Sequence, residues 1–347
     1  MAKQTPKTKR PSMQDVADLA GVSRTTVSFV INKVPDANIP PETHERVLEA
    51  VKELGYRPNA IARGLRAQRT HTIGFISDEI ATTPYAGHMI QGAQDFAWSK
   101  NNLLLLINTG GDQDIKQTAF DMLLDRQVDG IIYATMYHRE VHPPEIIRQI
   151  PSVLLDCFIA DRSLPSVVPD EVTGGYQATI HLLEKGHKRI GFINSRDPIP
   201  ATFGRLRGYK QALSHYNIPF DESLVYIGGD GSFGGYDGTM ELMRLPNRPT
   251  ALFCFNDHTA MGAYDALQKL NLSIPDEVAV VGFDNHELIA KYLYPSLSTM
   301  ELPHYAMGQW AVCHLLDLIE GQQQGINQSS TPIQQLQTCP LIKREST

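Results

Sequence analysis

The sequence predicts an α/β protein in two parts: an N-terminal all-α helix-turn-helix head with a hinge helix, then a two-lobed body on parallel sheets. Three observations carry this. Residues 13–54 show two short amphipathic helices broken by Gly21-Val22-Ser23, with a third behind them. Residues 72–347 alternate short apolar runs with helical stretches, the pattern of parallel strands joined by crossover helices. Charge divides at the same place. Residues 1–70 hold 12 Lys/Arg against 7 Asp/Glu, a net of +5, and the remainder holds 19 against 31, a net of −12. The whole-chain net of −7 therefore averages a basic head with an acidic body.

Taken in order, residues 1–12 read as a basic, disordered arm whose Lys3, Lys7, Lys9 and Arg10 can touch phosphates or simply aid solubility. The head spans 13–58. Ser12 can cap the first helix, with Asp15 three residues on at the positive end of its dipole. Met13, Val16, Ala17 and Ala20 share one face. Gly21 closes that helix and Ser23 caps the next, in which Val27, Val30 and Ile31 turn inward. Arg24, Thr25, Ser28 and Phe29 are left outward. Such a helix start suits a major groove, whose base edges present donors, acceptors and thymine methyls. A third helix from about Pro41 to Leu54 presents Val47, Leu48, Val51 and Leu54 to the core, and Gly55 ends it. A plain three-helix domain is the competing reading of this patterning. The basic segment that follows, opening Arg57-Pro58-Asn59, favours double-stranded DNA as a partner.

Residues 59–71 read as a short basic segment between head and body. Asn59 can cap a short helix, and Arg63 and Arg66 bring positive charge. A nine-residue helix is marginal alone in water, and Gly64 weakens it by roughly 1 kcal/mol. It should therefore fold only when paired and bound, which makes it a switch element.

In the body, strands are expected at Ile73–Ile76, Leu103–Ile107, Gly130–Tyr133, Val153–Leu155, Ile190–Ile193, Ala251–Phe255 and Val278–Gly282. Its 276 residues exceed one comfortable core, so two lobes follow. A first crossing between them is expected at Pro169-Asp170, with returns near Met300-Glu301 and Thr331. This makes an N-lobe of about 72–169 with 301–330 and a C-lobe of about 170–300 with 331–347. Ligands in such bodies sit at the carboxyl ends of the strands. Polar residues cluster there: Asp156, Asn256-Asp257 and Asp284 follow apolar runs, and Arg205 lies in Arg205-Leu206-Arg207-Gly208-Tyr209. Carboxylates beside an Arg and an Asn suit the vicinal hydroxyls of a sugar, since acceptors and donors are presented together. The alternative is that these acids cap the helices that follow, most plainly Asp257.

Other chemistries lack their signatures. The run GGDGSFGG (228–235) has neither the Lys-Ser/Thr of a phosphate loop nor dinucleotide spacing, and reads as a loop. His138, His142, His181 and His187 show no HExxH pattern, and no Gly-x-Ser-x-Gly elbow occurs. Cys157, Cys254, Cys313 and Cys339 form no CxxC pair and suit reduced thiols. No cofactor, metal or catalytic residue is expected. A periplasmic sugar-binding protein shares this kind of body, but MAKQTPKTKRPS has no apolar signal core and no run approaches a membrane span. A cytoplasmic protein associated with the nucleoid is expected. The Gln- and Ser-rich tail after Glu320 has no leucine heptads, so a homodimer is expected without a coiled coil.

The stretches DVADLAGVSRTTVSFVIN, ELGYRPNAIARGLR, TIGFI, DGII, HLLEKGHKRIGFI, ALFCFNDHTAMGAYDAL and IPDEVAVVGFDN, in this order, resemble the LacI-type (lac/purine repressor) family of transcriptional regulators. That resemblance implies a periplasmic-binding-protein-like body and a pseudo-palindromic operator. Arg24, Thr25 and Ser28 then correspond to positions that meet bases and phosphates, and Asn32 to a phosphate contact. Residues 59–71 become the hinge helix and linker, and Leu65 falls at a minor-groove wedge, although packing onto the body is its other reading. Phe29 departs from the usual Arg: it offers apolar contact where Arg binds guanine with two hydrogen bonds. In the body the resemblance makes Asp156, Arg205, Asn256 and Asp284 effector contacts, with Tyr85 and Phe233 as stacking walls. Cys157, Gly110, Leu302 and His304 depart from the family's pocket residues and leave the particular sugar open. A purine or nucleoside, or a protein co-regulator, is the other effector reading.

Overall fold

The computed structural model describes residues 11–34, 37–57, 69–80, 87–229, 231–324 and 331–347. The chain divides into two compact units, 1–70 and 71–347. The expected arm and the hinge residues Asn59, Arg63, Leu65 and Arg66 lie outside the described residues, as does Tyr85.

The first unit holds helices α1 (Met13–Ala20), α2 (Arg24–Ile31) and α3 (Pro41–Leu54). Ser12 and Asp15 form a full capping box: Asp15 Oδ2 accepts from the Ser12 amide at 2.6 Å, and Ser12 Oγ from the Asp15 amide at 3.3 Å. Gly21 takes the left-handed conformation (φ 65°), and its amide and that of Val22 close α1. Ser23 Oγ then accepts from the Thr26 amide at 3.1 Å to start α2. Val16, Ala17, Ala20, Val27, Val30, Val47 and Ala50 form the core. Leu48 does not join it. It is 47% exposed, and the small Ala50 takes the inward place instead.

The second unit contains two six-stranded sheets. The first has order β2-β1-β3-β4-β5-β11, all parallel: β1 (Thr72–Ser77), β2 (Leu103–Asn108), β3 (Gly130–Glu140), β4 (Ser152–Phe158), β5 (Ser166–Pro169) and β11 (Gln334–Gln337). Helices α4 (Gly87–Ser99) and α10 (His304–Gln323) bring Met89, Ala93, Met307, Ala311 and Leu315 against one face of it. Helix α5 (Gln113–Asp125) covers the other with Ala119, Phe120 and Leu123. The second sheet runs β7-β6-β8-β9-β10-β12, from β6 (Ile190–Ser195), β7 (Val225–Gly228), β8 (Ala251–Cys254), β9 (Ala279–Asp284), β10 (Ser298–Glu301) and β12 (Leu341–Ile342). Only β12 is antiparallel. Helices α6 (Glu171–Glu184) and α7 (Pro200–His215) pack on one side, α8 (Gly231–Met243) and α9 (Asp257–Lys269) on the other.

Each sheet begins with the order of a doubly wound fold, whose switch point marks where ligands bind. The chain passes between sheets three times: after Pro169, between Glu301 and His304, and between Gln337 and Leu341. The last crossing was expected near Thr331. It falls later because Gln334–Gln337 pairs with Ser166–Pro169 as a polar edge strand of the first sheet before β12 joins the second. The glycine run around residue 231 is likewise no loop throughout, since α8 begins within it.

Two glycines draw α6 and α7 together. A Cβ on Gly175 would meet the Arg205 carbonyl oxygen at 2.4 Å, and one on Gly208 would meet that of Val172 at 2.2 Å. Only glycine permits this approach, and it sets Glu171 at the start of α6 beside Arg205 on α7.

Candidate functional site

In the first unit, α2 presents Arg24, Thr25 and Phe29 to solvent, with Phe29 38% exposed and Ser28 half-buried between them. Asn32 caps the end of α2, and its Nδ2 donates to the Ser28 carbonyl at 2.8 Å and to Ser28 Oγ at 3.2 Å. The amide thus fixes the Ser28 hydroxyl. One face of α2, from its first residue to its C-cap, therefore carries a cation, two hydroxyls, an aromatic ring and an amide, groups that a recognition helix brings to a groove.

In the second unit, four of the residues expected at the effector site converge. Asp156, Arg205, Asn256 and Asp284 line one cavity of ≈ 90 Å³ between the lobes, with Met136, Tyr137, His138, Glu171 and Phe255. The first sheet supplies Asp156 from β4, and a bulge in β3 between Ala134 and Arg139 carries residues 136–138 out of register into the cavity. The second supplies Asn256 and Asp284 from the ends of β8 and β9.

Arg205 organises the cavity. Its Nε donates to Glu171 Oε2 at 2.8 Å and its Nη1 to the Phe255 carbonyl at 2.6 Å. Its guanidinium lies 3.7 Å from the Phe283 ring centre and 4.6 Å from that of Phe255. Nη2 stands 3.8 Å from Asp284 Oδ1, too far for a hydrogen bond, so this edge can take a ligand oxygen. Burial works against its charge, but Glu171 and Asp284 more than offset that and raise its pKa.

Asp156 is buried with φ 58°, and its Oδ1 has no hydrogen-bond partner. Burial first, then the carboxylates of Glu171 and Asp78, push its pKa well up. His138 Nδ1 is also buried without a partner, and burial with the nearby Arg162 and Arg205 lowers its pKa to about 4. Leaving such atoms unpaired costs about 1–3 kcal/mol each, which a ligand can recover by bonding to them. Burial likewise raises Asp284. Asn256 caps α9, its Oδ1 accepting from the Thr259 amide at 2.8 Å, and its Nδ2 makes no hydrogen bond among the described residues.

Asp257 takes a structural part. It is fully buried and accepts from Thr299 Oγ1 and the His286 amide, both at 2.6 Å, while burial pushes its pKa up to about 7. Phe233 is not brought to the cavity: it is 85% exposed on α8 and does not line it. Leu302 and His304 do line it. Sequence reasoning missed Glu171 and His138. Glu171 is one acid at a helix start with no local signal to mark it, and His138 lies beyond the end of an expected strand.

A helix-turn-helix head joined to a two-lobed body with a polar interlobe cavity defines a ligand-responsive DNA-binding regulator. Residues 12–59 match the bacterial regulatory proteins of the lacI family, and residues 70–345 match the periplasmic binding proteins and sugar binding domain of the LacI family. The ribose operon repressor of Escherichia coli (strain K12) is 34% identical over 337 residues, which cover 95% of this chain and 98% of that one. The HTH-type transcriptional repressor PurR of Vibrio atlanticus (strain LGP32) is 34% identical over 311 residues, 89% of this chain and 92% of that one. Among solved structures, the lac repressor dimer bound to operator and the anti-inducer ONPF aligns with a TM-score of 0.76 at 25% identity, covering 97% of this chain and 99% of that one. The chain belongs to the LacI family of bacterial transcriptional regulators. It is a DNA-binding repressor with an effector-binding body, and not an enzyme. No described helix is long and apolar enough to cross a membrane, and no cluster of metal-ligating residues occurs among the described residues.

Proposed function

We propose that this repressor binds a pseudo-palindromic operator as a homodimer and is released from it by a sugar held between the lobes. The observation that carries the effector class is the convergence of Asp156, Arg205, Asn256 and Asp284 on one cavity. Acceptors, a guanidinium edge and an amide nitrogen face a shared space, as ring hydroxyls require. The 34% identity to a ribose operon repressor supports the same class.

Arg24, Thr25, Ser28, Phe29 and Asn32 read the major groove. Asn59, Arg63, Leu65 and Arg66 form the hinge element that enters the minor groove when two copies pair. Sugar binding changes how the lobes meet and shifts the hinge between folded and frayed states. A coupling of about 1–3 kcal/mol would weaken operator affinity several-fold to a hundredfold. Such a repressor works in the cytoplasm at the nucleoid, where its operator lies.

A purine is the second reading, favoured by the 34% identity to PurR. Against it, the Phe255 ring is engaged by Arg205, and Phe233 lies away from the cavity. The test is titration of pentoses, hexoses, purines and nucleosides against the protein on its selected operator. A sugar should release the duplex, and Arg205→Ala should hold the duplex while losing that response. Release by purines alone would decide for the second reading.

A further inference from the structure

Strand β9 ends beside the cavity in a strained turn. The chain leaves it through Asp284 at φ 106° and Asn285 at φ 53°. Neither residue is glycine, and 106° lies beyond the left-handed region of about +50 to +70° that other residues reach. A backbone held in such a conformation persists only where its surroundings fix it.

Two side chains fix this one. Asp257, fully buried at the start of α9, takes a hydrogen bond of 2.6 Å on each carboxylate oxygen: Oδ2 from the His286 amide and Oδ1 from Thr299 Oγ1 of β10. Gly282 makes room for that carboxylate, since a Cβ there would meet Asp257 Oδ1 at 2.3 Å. Asn285 is held through both ends of its amide. Its Nδ2 donates to Glu301 Oε2 at 2.7 Å, and its Oδ1 accepts from Arg344 Nη2 at 2.6 Å.

Helix α9 does not require Asp257 as a cap, because Asn256 already fills that place. The turn, by contrast, has a visible consequence. The φ of a residue sets where its Cβ points relative to the strand before it, so an extended backbone at Asp284 would turn its carboxylate elsewhere. As folded, Asp284 lines the cavity with Oδ1 3.8 Å from Arg205 Nη2. That contact is too long to be a hydrogen bond that would hold the carboxylate, so its aim depends on the turn.

We infer that Asp257 and Asn285 are positioning residues of the effector site: they keep the turn 284–286 strained, and the turn keeps Asp284 aimed into the cavity. This rests on the reading that the effector binds there, whether it is a sugar or a purine. A contact oriented in advance spares the ligand the cost of ordering it.

Two measurements on the full chain test this. Hydrogen exchange reads the turn with no ligand present, and in Asp257→Ala the His286 amide should exchange at least about tenfold faster. Titration of D-ribose, D-glucose, cellobiose, adenine and guanine against the protein on its selected operator reads the site. With whichever compound acts on the wild type, Asp257→Ala should need at least about tenfold more for half its effect, while operator affinity without it stays within about threefold. Asp257→Asn should restore both readings to within about threefold, since its amide can accept from His286 and donate to Thr299 Oγ1. Should the alanine variant not fold, Asn285→Gly carries the test, because it removes both side-chain bonds and lets the backbone relax; at least about fivefold more compound is expected. A freely exchanging turn with an unchanged response would overturn the inference and leave the sugar reading standing, and so would unchanged exchange at His286. If only a purine acts and the variants lose its effect, the sugar reading falls and this inference stands. If none of the five acts on the wild type, both effector readings fall and the inference with them.

Discussion

Arg205 and Glu171 form an ion pair of 2.8 Å with side chains only 4% and 6% exposed. Neither residue reaches the other through its own element. Glu171 opens α6 and Arg205 lies on α7, and the glycine contacts between those helices close the gap. Glu171 and the Phe255 carbonyl hold two edges of the guanidinium, so that the third, Nη2, faces the cavity.

Removing Glu171 should therefore cost the fold as well as the response. Breaking one side of a buried pair typically destabilises by about 3–5 kcal/mol, because the remaining charge stays buried. Urea unfolding of Glu171→Ala should show a loss near the lower end of that range, since Asp284 remains nearby. Glu171→Gln, which keeps an acceptor, should lose less. A loss under about 1 kcal/mol for the alanine variant would mean that the pair contributes little.

Gly208→Ala should be costly for a different reason. Its new methyl would lie 2.2 Å from the Val172 carbonyl oxygen and 2.4 Å from the Tyr176 nitrogen, both backbone atoms that cannot swing aside. Overpacking of this kind costs about 1–3 kcal/mol or more. A lowered Tm with a weakened effector response is expected, because α7 must move and carries Arg205 with it. An unchanged Tm would show that the helices separate freely.

Phe29 should set base preference. It is exposed on α2 beside Thr25 and Ser28, where an Arg would form two hydrogen bonds to guanine. Selection from random duplexes should return a different preferred half-site for Phe29→Arg, with a discrimination change of about 1–3 kcal/mol at one base pair. The same half-site at higher affinity would contradict this role.

His138 should make the body acid-sensitive. Its folded pKa of about 4 lies below the ordinary value of 6.5, so between those pH values the unfolded chain holds a proton that the fold excludes. Its contribution to stability is thus present above pH 6.5 and is lost as pH falls towards 4. Asp156, Asp257 and Asp284 are shifted upward and act with the opposite sign, so the single residue must be read as a difference. Relative to wild type, His138→Phe should gain about 2 kcal/mol between pH 7 and pH 4.5. Parallel pH curves for the two proteins would rule it out.

The head was legible almost to the residue because its signals are local. Ser12, Asp15, Gly21 and Ser23 act within one turn of where they stand. Leu48 misled because its size counted for more in the pattern than its angle, and Ala50 holds the contact. In the body, seven strands with long apolar runs were readable, whereas the short β5, β7 and β10 and the polar edge strand β11 (Gln-Gln-Leu-Gln) were not. An edge strand has no apolar face to announce it, and its place is given by its partner alone. Asp156, Asn256 and Asp284 stood out because strand ends point to a common cleft, while Arg205, on a helix, and the effector role of all four came with the family resemblance. Glu171 could not, since its role depends on two helices meeting at Gly175 and Gly208. His138 depended on a register shift that no periodicity records.

The three passages of the chain between the sheets constrain how the body can move. One linker would let a lobe swivel in any direction, but three separate straps restrain twisting and favour opening and closing, as the spine of a book does. The cavity lies close to that spine, since Pro169, Leu302 and His304 at two of the passages line it, so a bound molecule touches the spine itself as well as both covers. On the rim of the gap, His88 Nε2 lies 2.9 Å from Glu287 Oε1, a contact between α4 of one lobe and the loop after β9 of the other that opening would break.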